Sequence, residues 1–156
     1  MPEPMPLTED SDIAGVLRST RTIALVGASH KPARPSHEVM AFLLARGYEV
    51  YPVNPGLAGQ TLLGCTVYPD LGAIPAAIDM VDVFRQSHYL QGIVEEAIAI
   101  GAGVLWTQLG VVDTAAAATA ERAGMKVVLD RCPAIEIPRL LAAGLLGERF
   151  PQAPGL

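Results

Sequence analysis

The chain has 156 residues, enough for one domain built around a single good core. Hydrophobic residues make up 51% of it and aromatics only 5%, so the core of this globular chain must come mostly from Val, Ile, Leu and Ala. Asp and Glu outnumber Lys and Arg 16 to 11, and a net charge of −5 argues against a general nucleic-acid footprint, which needs clustered cations.

No basic amphipathic stretch suits an anionic membrane surface, and none approaches the roughly 18 apolar residues of a membrane span. Cys65 and Cys132 are far apart and form no CxxC pair, so a reducing cytosol is the default compartment. The start, Met1-Pro-Glu-Pro-Met-Pro-Leu-Thr-Glu-Asp10, is acidic and proline-rich, unlike a signal or transit peptide. These features predict a cytoplasmic protein, with flexible ends over residues 1–9 and 150–156.

In chain order, a short helix is expected over Asp10–Leu17, then a first strand at Thr22–Val26. A helix from about Ser36 to Arg46 carries Val39, Met40, Leu43 and Leu44 at helical spacing, with Ser36 as its expected N-cap and Gly47 as its stop. The second strand, Tyr48–Val53, closes at the turn Asn54-Pro55-Gly56. Residues 56–79 hold too many Gly and Pro for a full helix, which predicts an irregular crossover with a hairpin over Thr61–Val67 and one helical turn near Leu71. A third strand, Met80–Phe84, precedes a helix capped by Ser87 and running through Ile100 to Gly101. A fourth strand at Gly103–Trp106 leads to an Ala-rich helix, Thr114–Ala123, capped by Asp113 and stopped by Gly124. A fifth strand, Lys126–Leu129, and a last helix from Pro133 to near Ala143 complete the pattern.

Five short, almost continuously apolar strands alternating with helices predict one α/β domain, a Rossmann-like doubly wound parallel sheet covered on both faces. Such sheets bind ligands outside the carboxyl ends of their strands, at the switch point in strand order. The candidate loops are therefore Gly27–Ser36, Val53–Pro55, Phe84–Ser87, Trp106–Gly110 and Asp130–Pro133.

The first of these has a phosphate-binding order: an apolar strand, a glycine, a loop with Lys31 and Arg34, then a helix start at Ser36. Hydroxyls and cations from Ser29, Lys31, Arg34 and Ser36 add donors for a pyrophosphate, although the same loop also reads as a solvated surface turn. It is not a full dinucleotide fingerprint, because Ser29 and Pro32 stand where later glycines belong. A dinucleotide site also wants an acid at the end of the second strand, whereas Glu49 falls at its start and the strand ends in Val53-Asn54-Pro55. A nucleotide with an extra ribose phosphate suits this pattern better, with Lys31 or Arg34 as counter-ion.

Gly27-Ala28-Ser29-x-x-Pro32-x-Arg34-Pro35-Ser36, Val53-Asn54-Pro55, Val83-Phe84-Arg85, Trp106-Thr107-Gln108-Leu109-Gly110 and Asp130-Arg131-Cys132-Pro133 occur in this order here. Together they resemble the small stand-alone CoA-binding proteins (YccU-like), related to the N-terminal domain of the succinyl-CoA synthetase alpha subunit. The resemblance covers roughly residues 10–142 and implies a Rossmann-like domain that binds coenzyme A or an acyl-CoA. Under it Gly27, Ala28, Ser29, Lys31, Arg34 and Ser36 would hold phosphates, and Val53, Asn54 and Pro55 would line the adenosine. Phe84 and Arg85, with Trp106, Thr107 and Gln108, would border the pantetheine arm. The synthetase's phosphorylated histidine lies in parts that this short chain lacks, so catalysis by that route is not implied. The expectation is a binding module that senses, carries or signals CoA status, with a small-molecule CoA ligand and no nucleic-acid or membrane partner.

The alternatives are an enzyme of acyl-CoA thioester chemistry and an NAD(H) sensor. Cys132, beside Arg131 and ahead of a helix begun by Pro133, is the best reactive candidate, against the plainer reading of a buried inert thiol. His30, His37 and His88 lack metal spacing, so no metal site is expected. Asp130 and Glu136 read either as ligand contacts or as ion-pair partners, Arg131 being the expected partner of Asp130. Trp106 reads equally as a site residue or as core whose indole N–H must find an acceptor.

Overall fold

The computed structural model describes residues 5–147. Seven strands and five α-helices follow one another as α1 (Asp10–Ser19), β1 (Thr22–Val26), α2 (Pro35–Ala45), β2 (Glu49–Val53), β3 (Thr61–Leu62), β4 (Cys65–Thr66), β5 (Met80–Val83), α3 (Leu90–Ala99), β6 (Val104–Thr107), α4 (Thr114–Arg122), β7 (Lys126–Val128) and α5 (Pro133–Ala142). Short 3₁₀ turns lie at Pro55–Leu57, Leu71–Ala73 and Ser87–Tyr89. The five long strands form one parallel sheet in the order β2-β1-β5-β6-β7, while β3 and β4 make a separate antiparallel hairpin in the crossover. Strand order reverses between β1 and β5, so a crevice opens there at the carboxyl edge.

Alternate strand residues feed two cores. Ile23, Leu25, Met80, Val104, Trp106 and Val128 pack under α1, α2 and α5, where Leu17, Met40, Leu43, Ile137 and Leu140 are buried. Ala24, Val26, Val81, Val83, Leu105 and Val127 pack under α3 and α4 on the other face. Here α4 presents only Ala116, Ala117 and Ala120, small enough to let it lie close to α3 and the sheet. Both faces are therefore dry, which is why the strands read as unbroken apolar runs.

One acidic side chain interrupts this pattern. Asp82, in register between Leu25 of β1 and Trp106 of β6, is completely buried, and neither carboxylate oxygen has a hydrogen-bond partner. At the sheet's outer edge, the Leu7 N–H donates to the Val127 carbonyl of β7 (2.8 Å), so the segment before α1 covers a strand that pairs only on its inner side. Of the ends expected to be flexible, 1–9 and 150–156, residues 1–4 and 150–156 lie outside the described residues.

Two expected caps are placed differently. Pro35, with its φ already fixed for a helix and no N–H to satisfy, takes the first position of α2, which makes Arg34 the N-cap and puts Ser36 inside the first turn. Ser87 opens a 3₁₀ turn rather than capping α3, and its hydroxyl instead donates to the Gly110 carbonyl (3.4 Å) and accepts from the Val112 N–H (2.9 Å). Asp113 caps α4 as expected, accepting from the Ala116 N–H. No helix among the described residues is long and apolar enough to cross a membrane.

Candidate functional site

The loops after β1, β2, β5 and β6 surround a cleft of about 940 Å³ at the switch point. Of the residues singled out from sequence, Gly27, Ala28, Ser29, Lys31, Arg34, Ser36, Val53, Asn54, Pro55, Phe84, Arg85 and Gln108 line it. Trp106 and Thr107 do not. The Trp106 side chain is wholly buried on the α1/α2/α5 face, with its indole N–H donating to the Arg131 carbonyl (2.7 Å), and Thr107 is buried beside it. The indole's need for an acceptor is met inside the fold.

Gly27 sits where the turn after β1 meets the loop after β5. Its φ is +92°, and a Cβ there would fall 2.7 Å from the Phe84 carbonyl oxygen. Only glycine lets the β1 turn pass this close to the β5 loop. The Gly27 and Ala28 N–H groups both donate to the Val53 carbonyl (3.0 and 3.2 Å), and Asn54 Nδ2 donates to the Ala28 carbonyl (2.7 Å). Asn54 Oδ1 in turn accepts from the Gly56 N–H (2.8 Å). The turns after β1 and β2 are thus stapled together, and the Gly27 and Ala28 amides are committed within the protein.

Anion donors lie one step further along. Among the described residues no acceptor takes the amides of Ser29, His30 or Ser36, whereas the Lys31 N–H is held by Ser29 Oγ (3.1 Å). Ser36 is buried at the α2 start, and His30, Lys31 and Arg34 stand exposed around it. Free amides, a helix N-terminus and two permanent cations make this wall electropositive. Next to the Gly27 turn, Arg85 lies with its guanidinium carbon 3.9 Å above the ring centre of Tyr89, which holds the cation in a fixed position on the rim.

The far end is framed by parts that the sequence did not mark. Tyr89, Gly92, Ile93 and Glu96 line it from α3 and the turn before it, and Asp70 and Leu71 from the crossover. Glu96 Oε1 accepts from the Leu71 N–H (3.3 Å), and Asp70 Oδ1 accepts from the Ala73 N–H (2.9 Å). The only signal available was spacing: positions 89, 92, 93 and 96 share one helix face, opening toward the carboxyl edge. Gln108 closes the cleft from β6. It is only 8% exposed, its backbone N–H donates to the Val83 carbonyl (3.1 Å), and its side-chain carbonyl has no donor.

The loop after β7 stays out of the cleft. Asp130 pairs with the Gly110 N–H (2.6 Å) rather than with Arg131. Arg131 instead meets Glu136 (2.9 Å), which also binds Arg139 (2.8 Å), and Arg139 grips Asp10 of α1. Glu136 is thus an ion-pair partner tying α5 to the β7 loop, while Arg139 ties α5 to α1, and its hydrogen bonds keep the Asp10 carboxyl below its ordinary range. Cys132 is buried against the α1/α2/α5 core and does not line the cleft, while burial pushes the partly exposed Cys65 thiol up. No cluster of His, Cys, Asp and Glu suited to a metal ion occurs among the described residues.

A family profile described as a CoA binding domain matches residues 21–138, a span reaching from the residue before β1 into α5. An uncharacterized protein of Bacillus subtilis, YneT, is 37% identical over 122 residues, covering 78% of this chain and 89% of that one. A solved hypothetical protein from Pyrococcus horikoshii is 41% identical with a TM-score of 0.83, covering 90% of this chain and 99% of the other. The dinucleotide-forming acetyl-coenzyme A synthetase 1 of Ca. Korarchaeum cryptofilum shares the fold, with a TM-score of 0.63 at 23% identity, over 74% of this chain and 27% of that one.

Proposed function

The chain belongs to the family of CoA-binding domains, and on that footing we propose that its cleft binds coenzyme A or an acyl-CoA as a binding module without chemistry of its own. The observation that carries this reading is an electropositive wall of free amides and cations beside an apolar stretch of the same cleft. The free amides of Ser29, His30 and Ser36, with Lys31 and Arg34, suit the pyrophosphate and the ribose phosphate. Val53, Pro55 and Leu57 offer an apolar seat for adenine, and Phe84, Arg85 and Gln108 border the path of the pantetheine arm.

Two features weigh against NAD as the ligand. Glu49 pairs with Thr22 at the first residues of β2 and β1, the edge away from the cleft. At the other end of β2, where a dinucleotide site places an acid for the ribose hydroxyls, Asn54 spends both ends of its carboxamide on Ala28 and Gly56. Thioester chemistry by a cysteine has no support in the cleft lining, since Cys132 sits in the core below.

Calorimetric titration with CoA, dephospho-CoA, acetyl-CoA and NAD at one salt concentration tests the proposal. Micromolar binding of CoA with NAD silent is expected. NAD binding with CoA silent would overturn it.

A further inference from the structure

We infer that Asp130, which does not line the cleft, is a positioning residue that sets the Gln108 carboxamide for the ligand; this rests on the CoA reading above. Gln108 begins a turn, 108–111, that is anchored in the core at Val111 while its middle residues, Leu109 and Gly110, are exposed, so apolar burial alone does not fix the turn's shape. Polar contacts hold it instead, and three of them come from the end of β7. The Thr107 hydroxyl donates to the Val111 carbonyl (2.7 Å) and accepts from the Asp130 N–H (3.0 Å). Asp130 Oδ1 accepts from the Gly110 N–H (2.6 Å), and the Arg131 N–H donates to the Thr107 carbonyl (3.1 Å). Ser87 adds a longer contact to the Gly110 carbonyl (3.4 Å).

Asp130 makes these bonds from a left-handed backbone, φ +59°, that L-residues other than Asn and Asp rarely adopt. That conformation lets one residue present its N–H to Thr107 and its carboxylate to Gly110. What the arrangement holds in place is a nearly buried carboxamide in the cleft lining whose oxygen has no donor in the protein. Such a group is costly unless something supplies a hydrogen bond. A pantetheine arm carries amide N–H donors, and the nucleotide half of CoA reaches the other wall. The Asp130 latch therefore acts on recognition of the arm and not of the nucleotide.

The test compares the full-length protein with Asp130→Gly and Asp130→Asn, each titrated with CoA and with adenosine 3′,5′-bisphosphate, which lacks the arm. Glycine accepts the positive φ but has no carboxylate, and asparagine accepts the φ and restores an oxygen for the Gly110 N–H. Asp130→Gly is expected to weaken CoA about tenfold, the scale of one well-placed hydrogen bond, while the bisphosphate changes less than about twofold. Asp130→Asn should recover most of the CoA affinity. Unchanged CoA binding in Asp130→Gly, or equal loss for both ligands, would overturn the inference while leaving the CoA reading intact. A wild-type protein that takes up neither ligand would remove that reading and this inference with it.

Discussion

Replacing Asp82 by asparagine should make the protein less sensitive to pH and more stable at neutrality. Asp82 is wholly buried in the middle of the sheet with no donor to either oxygen, and burial alone pushes its carboxyl well above the usual range. The folded state then keeps a proton that the unfolded chain releases near the ordinary carboxylate pKa of about 3.9. Stability from this group is complete below that pH and falls as pH rises toward the folded-state pKa, because the native state binds more protons there. The slope is about 1.4 kcal/mol per pH unit while Asp82 is neutral folded and ionised unfolded. Asparagine nearly matches the neutral acid in shape and cannot ionise, so the variant should equal the wild type near pH 4. Its advantage should grow as pH rises above 5, by at most about 3 kcal/mol up to pH 7. For a domain of this size that upper bound corresponds to roughly 10 °C in Tm. Urea unfolding of both proteins at half-unit steps from pH 4 to 8 reads the difference directly. Parallel stability curves across that range would refute the reasoning.

Gly27→Ala should destabilise the fold by about 1–3 kcal/mol, since the new methyl would meet the Phe84 carbonyl and the backbone is left-handed; an unchanged urea midpoint would count against the close approach. Arg34→Ala should weaken CoA by about tenfold or more and dephospho-CoA less, if the guanidinium meets the ribose phosphate. Equal losses in titration would move Arg34 to the pyrophosphate. Cys132 should resist a thiol reagent in the native protein and react once urea unfolds it, because it is packed in the core while Cys65 is partly exposed; rapid native labelling of Cys132, read by peptide mass, would sink that.

The strand ends were legible because each parallel strand is a short apolar run closed by Gly, Asn-Pro or a polar turn, and four of the five loops so marked do meet at the cleft. The β7 loop does not, and sequence had no means of showing that Asp130 would reach sideways to Gly110. The same continuous burial hid which face each strand residue takes. In a sheet covered on both sides there is no polar alternation to follow, so Trp106 read equally well as core or as site. Ser36 and Ser87 failed as caps for local reasons: Pro35 claims the helix start, and the Ser87 hydroxyl has partners on the β6 loop. Tyr89 and Glu96 went unmarked because they reach the cleft through the packing of α3, a tertiary fact that helical spacing only hints at. Asp82 breaks the apolar run of β5, yet a single acid in such a run signals neither its burial nor its lack of partners.

The hydrogen bond from Leu7 to Val127 bears on how the protein behaves in a tube. With that amide in place, the outermost strand offers a passing chain one fewer open carbonyl. A purification tag that drags this segment away, or a protease that trims it, would unmask a ready template for strand pairing between molecules. The damage would register first as concentration-dependent light scattering and lost yield, with the unfolding midpoint barely moved.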